Sequence, residues 1–180
     1  MNPPQEKQER TLADVALSDK YHADDGRVYL TGSQALVRIA LTQARRDRAA
    51  GKKTAGYITG YRGSPLHTFD LELSRVPELL ESHDIKFEPG INEDLAATAV
   101  RGSQMAGVYG DGTYDGVFAM WYGKSPGLDR SIDAIRHGNL CGTSPMGGAL
   151  AVIGDDHGMR STDTLAHCEM TCEDLMMPLL

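Results

Sequence analysis

A glutamate stands where a strand gives way to a helix built almost wholly of small residues. The stretch begins Glu88-Pro89-Gly90-Ile91-Asn92-Glu93-Asp94 and ends at Gly107. Its spacing predicts the end of a strand, a tight turn at Pro89-Gly90 and a helix with Asn92 as N-cap. Glu93 and Asp94 then lie in the first turn, where the helix dipole favours negative charge. Ala96, Ala97, Ala99, Val100, Gly102, Ser103, Ala106 and Gly107 leave little bulk behind them. Such a helix packs its backbone close to a neighbouring layer and holds its first carboxylate rigidly at the mouth of that layer. Two readings of Glu93 stay open on this pattern: it balances the dipole, or it performs chemistry.

Two other groups have metal-ligating residue types. Asp155-Asp156-His157 follows an apolar run, which fits a metal-dependent hydrolase or, more readily, a polar turn at a strand end. Cys168 and Cys172 are four apart with His167 adjacent. On a helix they share a face and have the chemistry to hold a metal, but no second pair completes a site, so buried thiols are the stronger reading. With Cys141 they make three cysteines, an odd number with no disulfide framework. That suits a reducing, cytoplasmic setting. There is no Gly-x-Gly-x-x-Gly after a strand, no phosphate-binding loop and no Gly-x-Ser-x-Gly elbow.

The elements that must position these residues alternate. Residues 33–48 read as a helix opened by Gly32 and capped by Ser33, with Gly51 stopping it. Thr54–Gly60 is a buried strand running into the turn Tyr61-Arg62-Gly63-Ser64-Pro65-Leu66, where Gly63 permits close backbone approach. Residues 69–80 carry a helical pattern broken at Pro77. Strands follow at 85–88, 116–123 and Gly148–Gly154. A loop is expected over 124–130 and a helix over 129–139. Asp24-Asp25-Gly26 is a hairpin-type turn signal before Val28-Tyr29-Leu30. Alternating strands and helices predict an α/β fold, a parallel sheet with helices on both faces. Ligands of such sheets bind beyond the carboxyl ends of the strands. The turns at 61–66, 90–94, 124–130 and 155–158 all fall on that edge.

A chain of 180 residues with 41% hydrophobic content fits one domain with a real core. Residues 1–20 read as a flexible N-terminal tail and 21–180 as the domain. The net charge of -7 argues against nucleic acid as a partner. No apolar run approaches the roughly 20 residues of a membrane span.

At these residues the chain resembles a known family. Gly60-Tyr61-Arg62-Gly63-Ser64-Pro65-Leu66, Gly90-Ile91-Asn92-Glu93, Gly123-Lys124-Ser125-Pro126-Gly127-Leu128-Asp129-Arg130-Ser131, Gly142-Thr143-Ser144-Pro145 and Gly154-Asp155-Asp156-His157 look like the amino-terminal part of the fused indolepyruvate ferredoxin oxidoreductases. These are thiamine-diphosphate-dependent 2-oxoacid:ferredoxin oxidoreductases. The resemblance runs from about residue 21 to 180, with Lys-Ser-Pro-Gly here where relatives often read Lys-Gly-Pro-Gly. It implies a pyrimidine-binding domain, and it gives Glu93 a role: bonding a ring nitrogen of the cofactor's aminopyrimidine and so promoting loss of the thiazolium proton. It implies cofactor contacts at Tyr61, Gly63, Ser64, Pro65 and Asn92, and Arg62 on the substrate carboxylate, which a guanidinium can bind bidentately. It also implies a 2-oxoacid, coenzyme A, ferredoxin and the diphosphate-binding domain as partners, in a homo-oligomer. Mg²⁺ and iron–sulfur clusters would be bound by parts outside this chain. Relatives are several times longer, so the chain is expected to be a fragment, truncated at its carboxyl end and inactive alone. A binding module of the same fold that has lost the chemistry is the alternative.

Overall fold

The computed structural model describes residues 15–108, 112–155, 158 and 168–180. Its elements in chain order are α1 (Asp19–His22), α2 (Gly32–Ala49), β1 (Thr54–Gly60), α3 (His67–Ser74), α4 (Pro77–Glu81), β2 (Ile85–Phe87), α5 (Glu93–Gln104), β3 (Gly116–Lys124), α6 (Ser125–Cys141), β4 (Gly148–Gly154) and α7 (Cys168–Asp174). The strands form a four-stranded sheet in the order β2-β1-β3-β4, and every pairing is parallel. The α/β class with helices on both faces is therefore as the alternating pattern predicts.

Alternation along the central strands builds two cores. Ile58, Met120 and Tyr122 pack with Val37, Leu41, Phe69 and Leu73 beneath α2, α3 and α4. Ala119 and Trp121 pack with Ala96, Ala97, Val100 and Leu128 beneath α5, α6 and α7. The small residues of α5 are the reason it lies so close: its alanines face the sheet where bulkier chains would hold it away. Because β1 is followed by β2 on one side and β3 on the other, the strand order reverses between β1 and β3. Their carboxyl ends open the crevice where ligands of such sheets bind.

Several boundaries differ from the sequence reading. Thr31, not Ser33, caps α2: its hydroxyl accepts from the Gln34 N–H while the Gln34 side chain accepts from the Thr31 N–H. That reciprocal pair satisfies two helix-end donors, which a cap at Ser33 would leave to water. Ser33 instead lies 2.7 Å from the Thr68 hydroxyl. Asp24-Asp25-Gly26 bends, with Gly26 at φ +87°, but residues 27–30 join no strand. Asp19 and Lys20, at the end of the expected tail, belong to α1 and are tied to α2 by a 2.8 Å hydrogen bond from Arg38 to the Lys20 carbonyl. Of the expected loop at 124–130, Lys124 ends β3 and the rest is the first turns of α6. Pro126 is compatible with that start, because a first-turn N–H has no helical partner to lose. Among the described residues no helix is long and apolar enough to cross a membrane.

Candidate functional site

The carboxyl ends of the strands converge as a set. The Gly90 N–H donates to the Gly60 carbonyl at 2.8 Å, which brings the turn after β2 onto the end of β1. Tyr61 N–H donates to the Tyr122 carbonyl at 3.1 Å. A Cβ placed on Gly154 would lie 2.7 Å from Leu66 Cγ and 3.0 Å from Pro65 Cγ, so the 61–66 turn closes over the end of β4.

Glu93 opens α5 from within this edge and is buried, 8% exposed. Four neighbours surround it. The Trp121 indole N–H donates to the Glu93 main-chain carbonyl at 3.0 Å. The carboxylate side chain lies in a slot between Gly123 and Gly127, where added Cβ atoms would stand 3.3 Å and 2.5 Å from Glu93 Cγ. Arg130, itself largely exposed, places Nη1 3.8 Å from Glu93 Oε2. The carboxylate thus faces a guanidinium and the first turn of α6 while standing in the first turn of its own helix.

Asn92 caps α5: its Oδ1 accepts from the Leu95 N–H at 2.8 Å. That atom is committed to the helix, so what Asn92 does for Glu93 is to orient it. In the 61–66 turn the Leu66 N–H donates to the Gly63 carbonyl at 2.7 Å, and the Ser64–Pro65 peptide is cis. Tyr61, Arg62, Ser64 and Pro65 are exposed and Gly63 is half-buried. At Gly63, which permits a close backbone approach, the nearest atom to an added Cβ is Tyr61 Cδ1 at 3.9 Å. The turn is held by its own hydrogen bond, which leaves the glycine facing open space.

Arg62 is near enough to Tyr122 for its charge to favour the tyrosinate. Burial, followed by the hydrogen bond to Asp70, outweighs this and pushes the Tyr122 hydroxyl well above the ordinary tyrosine range. Glu93 and Arg62 both follow the carboxyl ends of strands and so belong to one edge.

Of the residues considered for a metal, Asp156, His157 and His167 lie outside the described residues. Asp155 accepts from the Cys168 thiol at 2.8 Å. Burial first, and Asp155 next, push that thiol's titration far up. Burial also raises the Cys172 thiol, helped by Glu169 and Asp155. Among the described residues no group of three or more His, Cys, Asp or Glu side chains can hold a metal ion. These thiols line a cavity of about 570 Å³ together with Trp121, Asn139, Ala151 and Ile153.

The sequence reading missed Trp121, the glycine slot and the buried Asp70–Tyr122 pair. Each leaves a trace. Gly123 and Gly127 flank a strand-to-helix junction, and neither is needed for a left-handed turn. Asp70 sits among Leu66, Phe69 and Leu73, on the apolar face of α3, where a carboxylate requires a partner.

The comparisons with known proteins returned nothing: no protein-family model matches the chain, and no curated protein or solved structure matches it either.

Proposed function

We propose that this chain is the pyrimidine-binding portion of an indolepyruvate-type 2-oxoacid:ferredoxin oxidoreductase, working in the cytoplasm. In this reading its sheet is that of a thiamine-diphosphate pyrimidine-binding domain. The observation that carries the reading is Glu93, buried at the carboxyl end of β3, with its carbonyl held by Trp121 and its side chain in the slot of Gly123 and Gly127. A dipole-balancing glutamate has no need of burial or of a slot cut by two glycines; a carboxylate that must point in one direction at a ring nitrogen has need of both.

When bound, thiamine diphosphate supplies the carbanion chemistry that decarboxylates a 2-oxoacid. Glu93 would bind the aminopyrimidine ring nitrogen and govern the proton there. Tyr61, Gly63, Ser64 and Pro65 would wall the crevice from the β1 side, and Asn92 would keep α5 in register. Arg62, exposed, would hold the carboxylate of an arylpyruvate. Diphosphate, Mg²⁺, iron–sulfur clusters, coenzyme A and ferredoxin would be handled by the diphosphate-binding domain and the electron-transfer parts of the assembled homo-oligomer.

The test is complementation. The chain is co-expressed with the diphosphate-binding and electron-transfer parts of such an enzyme, and 2-oxoacid-dependent reduction of a low-potential acceptor is followed. Glu93→Gln keeps size and removes the carboxylate, and the rate should fall by about 10²-fold or more. A rate equal to the unmodified chain's ends the proposal.

A further inference from the structure

We infer that Gly127 is a positioning residue for Glu93, and that the missing side chain in the first turn of α6 gives the carboxylate its direction. This rests on the reading of Glu93 as the cofactor-facing group. Glycine inside a helix is costly, because it gives up more backbone freedom than alanine and adds no side-chain packing. Gly127 is not in the left-handed region, so no turn requires it. What does account for it is proximity: an added Cβ would stand 2.5 Å from Glu93 Cγ, 2.8 Å from Oε1 and 2.9 Å from Cδ.

The three nearest atoms all belong to one side chain, so relieving the clash means swinging Glu93. Towards β3 the side chain already lies close over Gly123, where an added Cβ would stand 3.3 Å from Glu93 Cγ and 2.7 Å from the Trp121 ring. The main chain cannot follow, because the Trp121 N–H holds its carbonyl. A methyl group at 127 would therefore leave the fold intact and turn the carboxylate out of the crevice. Gly138 is the internal control: it lies in the same helix, and an added Cβ there meets nothing within 4 Å.

The experiment compares Gly127→Ala and Gly138→Ala in the complemented assembly and in the chain alone. Gly138→Ala should keep the rate. Gly127→Ala should fold, keep KM for the 2-oxoacid and lose about 10²-fold in kcat, the scale of a displaced catalytic group. In the chain alone, the one tryptophan gives a single indole N–H resonance in a ¹⁵N–¹H spectrum. Gly127→Ala should move that resonance, and in a Glu93→Ala background the same substitution should leave it where Glu93→Ala put it. Full kcat in Gly127→Ala while Glu93→Gln has lost activity overturns the inference and leaves the functional reading standing. If both variants keep full activity, the functional reading falls. The indole resonance then decides the positioning alone: non-additive shifts support it and additive shifts overturn it.

Discussion

The Tyr122 hydroxyl donates a 2.6 Å hydrogen bond to Asp70 Oδ2 across the interface between α3 and β3, and both residues are buried. The pair ties the helix that follows the 61–66 turn to the strand that leads into α6, so it fixes the two sides of the crevice relative to each other. A buried carboxylate that loses its donor keeps its desolvation cost. Tyr122→Phe should therefore destabilise by about 1–3 kcal/mol, and Asp70→Asn, which keeps an acceptor, by less. Urea unfolding of both variants measures this. Equal losses would show that the bond stabilises only when its acceptor is charged.

Asn92 presents a choice between capping and ligand binding that mutagenesis can settle. Its Oδ1 accepts the Leu95 N–H, so Asn92→Asp should preserve the cap and Asn92→Ala should cost about 1 kcal/mol. In the complemented assembly Asn92→Asp should also retain most of the rate, because α5 still presents Glu93 in place. A full-stability Asn92→Asp variant with no activity would show that the side-chain amide itself touches the ligand.

Much of this edge is legible in the chain because it rests on local rules. The Asn92 cap, the small face of α5, and the extents of β1 and β4 follow from residue types a few positions apart. The start of α6 is less so: Lys-Ser-Pro-Gly reads as a turn, yet Pro126 fits a helix's first turn and Gly127 is there for Glu93, a residue 34 positions earlier in the chain. The Trp121–Glu93 and Tyr122–Asp70 bonds likewise join residues 28 and 52 apart. Such pairs depend on the strand order β2-β1-β3-β4, which periodicity does not specify. Thr31 replaced Ser33 as cap for a subtler reason: the glutamine needed for the reciprocal bond stands three residues after Thr31, and the pattern Thr-x-x-Gln was readable.

Acid should loosen α1 before the rest. Burial raises the titration of Glu72, but hydrogen bonds from Tyr21, Arg75 and Gln34 outweigh it and hold the carboxyl below the ordinary glutamate range. A carboxyl with a lowered folded-state value stabilises above its unfolded value, and that contribution is lost as pH falls through the folded one. Tyr21 reaches Glu72 Oε2 at 3.0 Å from α1, so the affected contact is the docking of α1 on α3. Lowering pH from about 6 to about 3 should therefore increase proteolytic cutting near α1 in the unmodified chain. Glu72→Gln should show raised cutting at pH 6 and little further change. Parallel pH responses in the two proteins would place the acid sensitivity elsewhere.

Thiol reactivity tests the packing of α7 on the second core. Cys141 is exposed, while Cys168 and Cys172 are buried. The thiolate is the reactive form, and burial with the nearby Asp155 carboxylate keeps the Cys168 proton in place beyond the ordinary thiol range. A disulfide reagent at about pH 8, near the ordinary thiol value, should label one cysteine rapidly and the other two only once denaturant is added. The sign of the linkage is fixed by the raised folded-state value: the stabilisation from a protonated Cys168 is complete below the unfolded thiol value and is lost as pH rises past it. Asp155→Asn removes the neighbouring negative charge, so Cys168 should label faster at the same pH while Cys141 stays as it was. If all three thiols of the unmodified chain react at one fast rate, α7 does not hold its cysteines against Trp121 and Ala151, and the cavity they line is open to solvent.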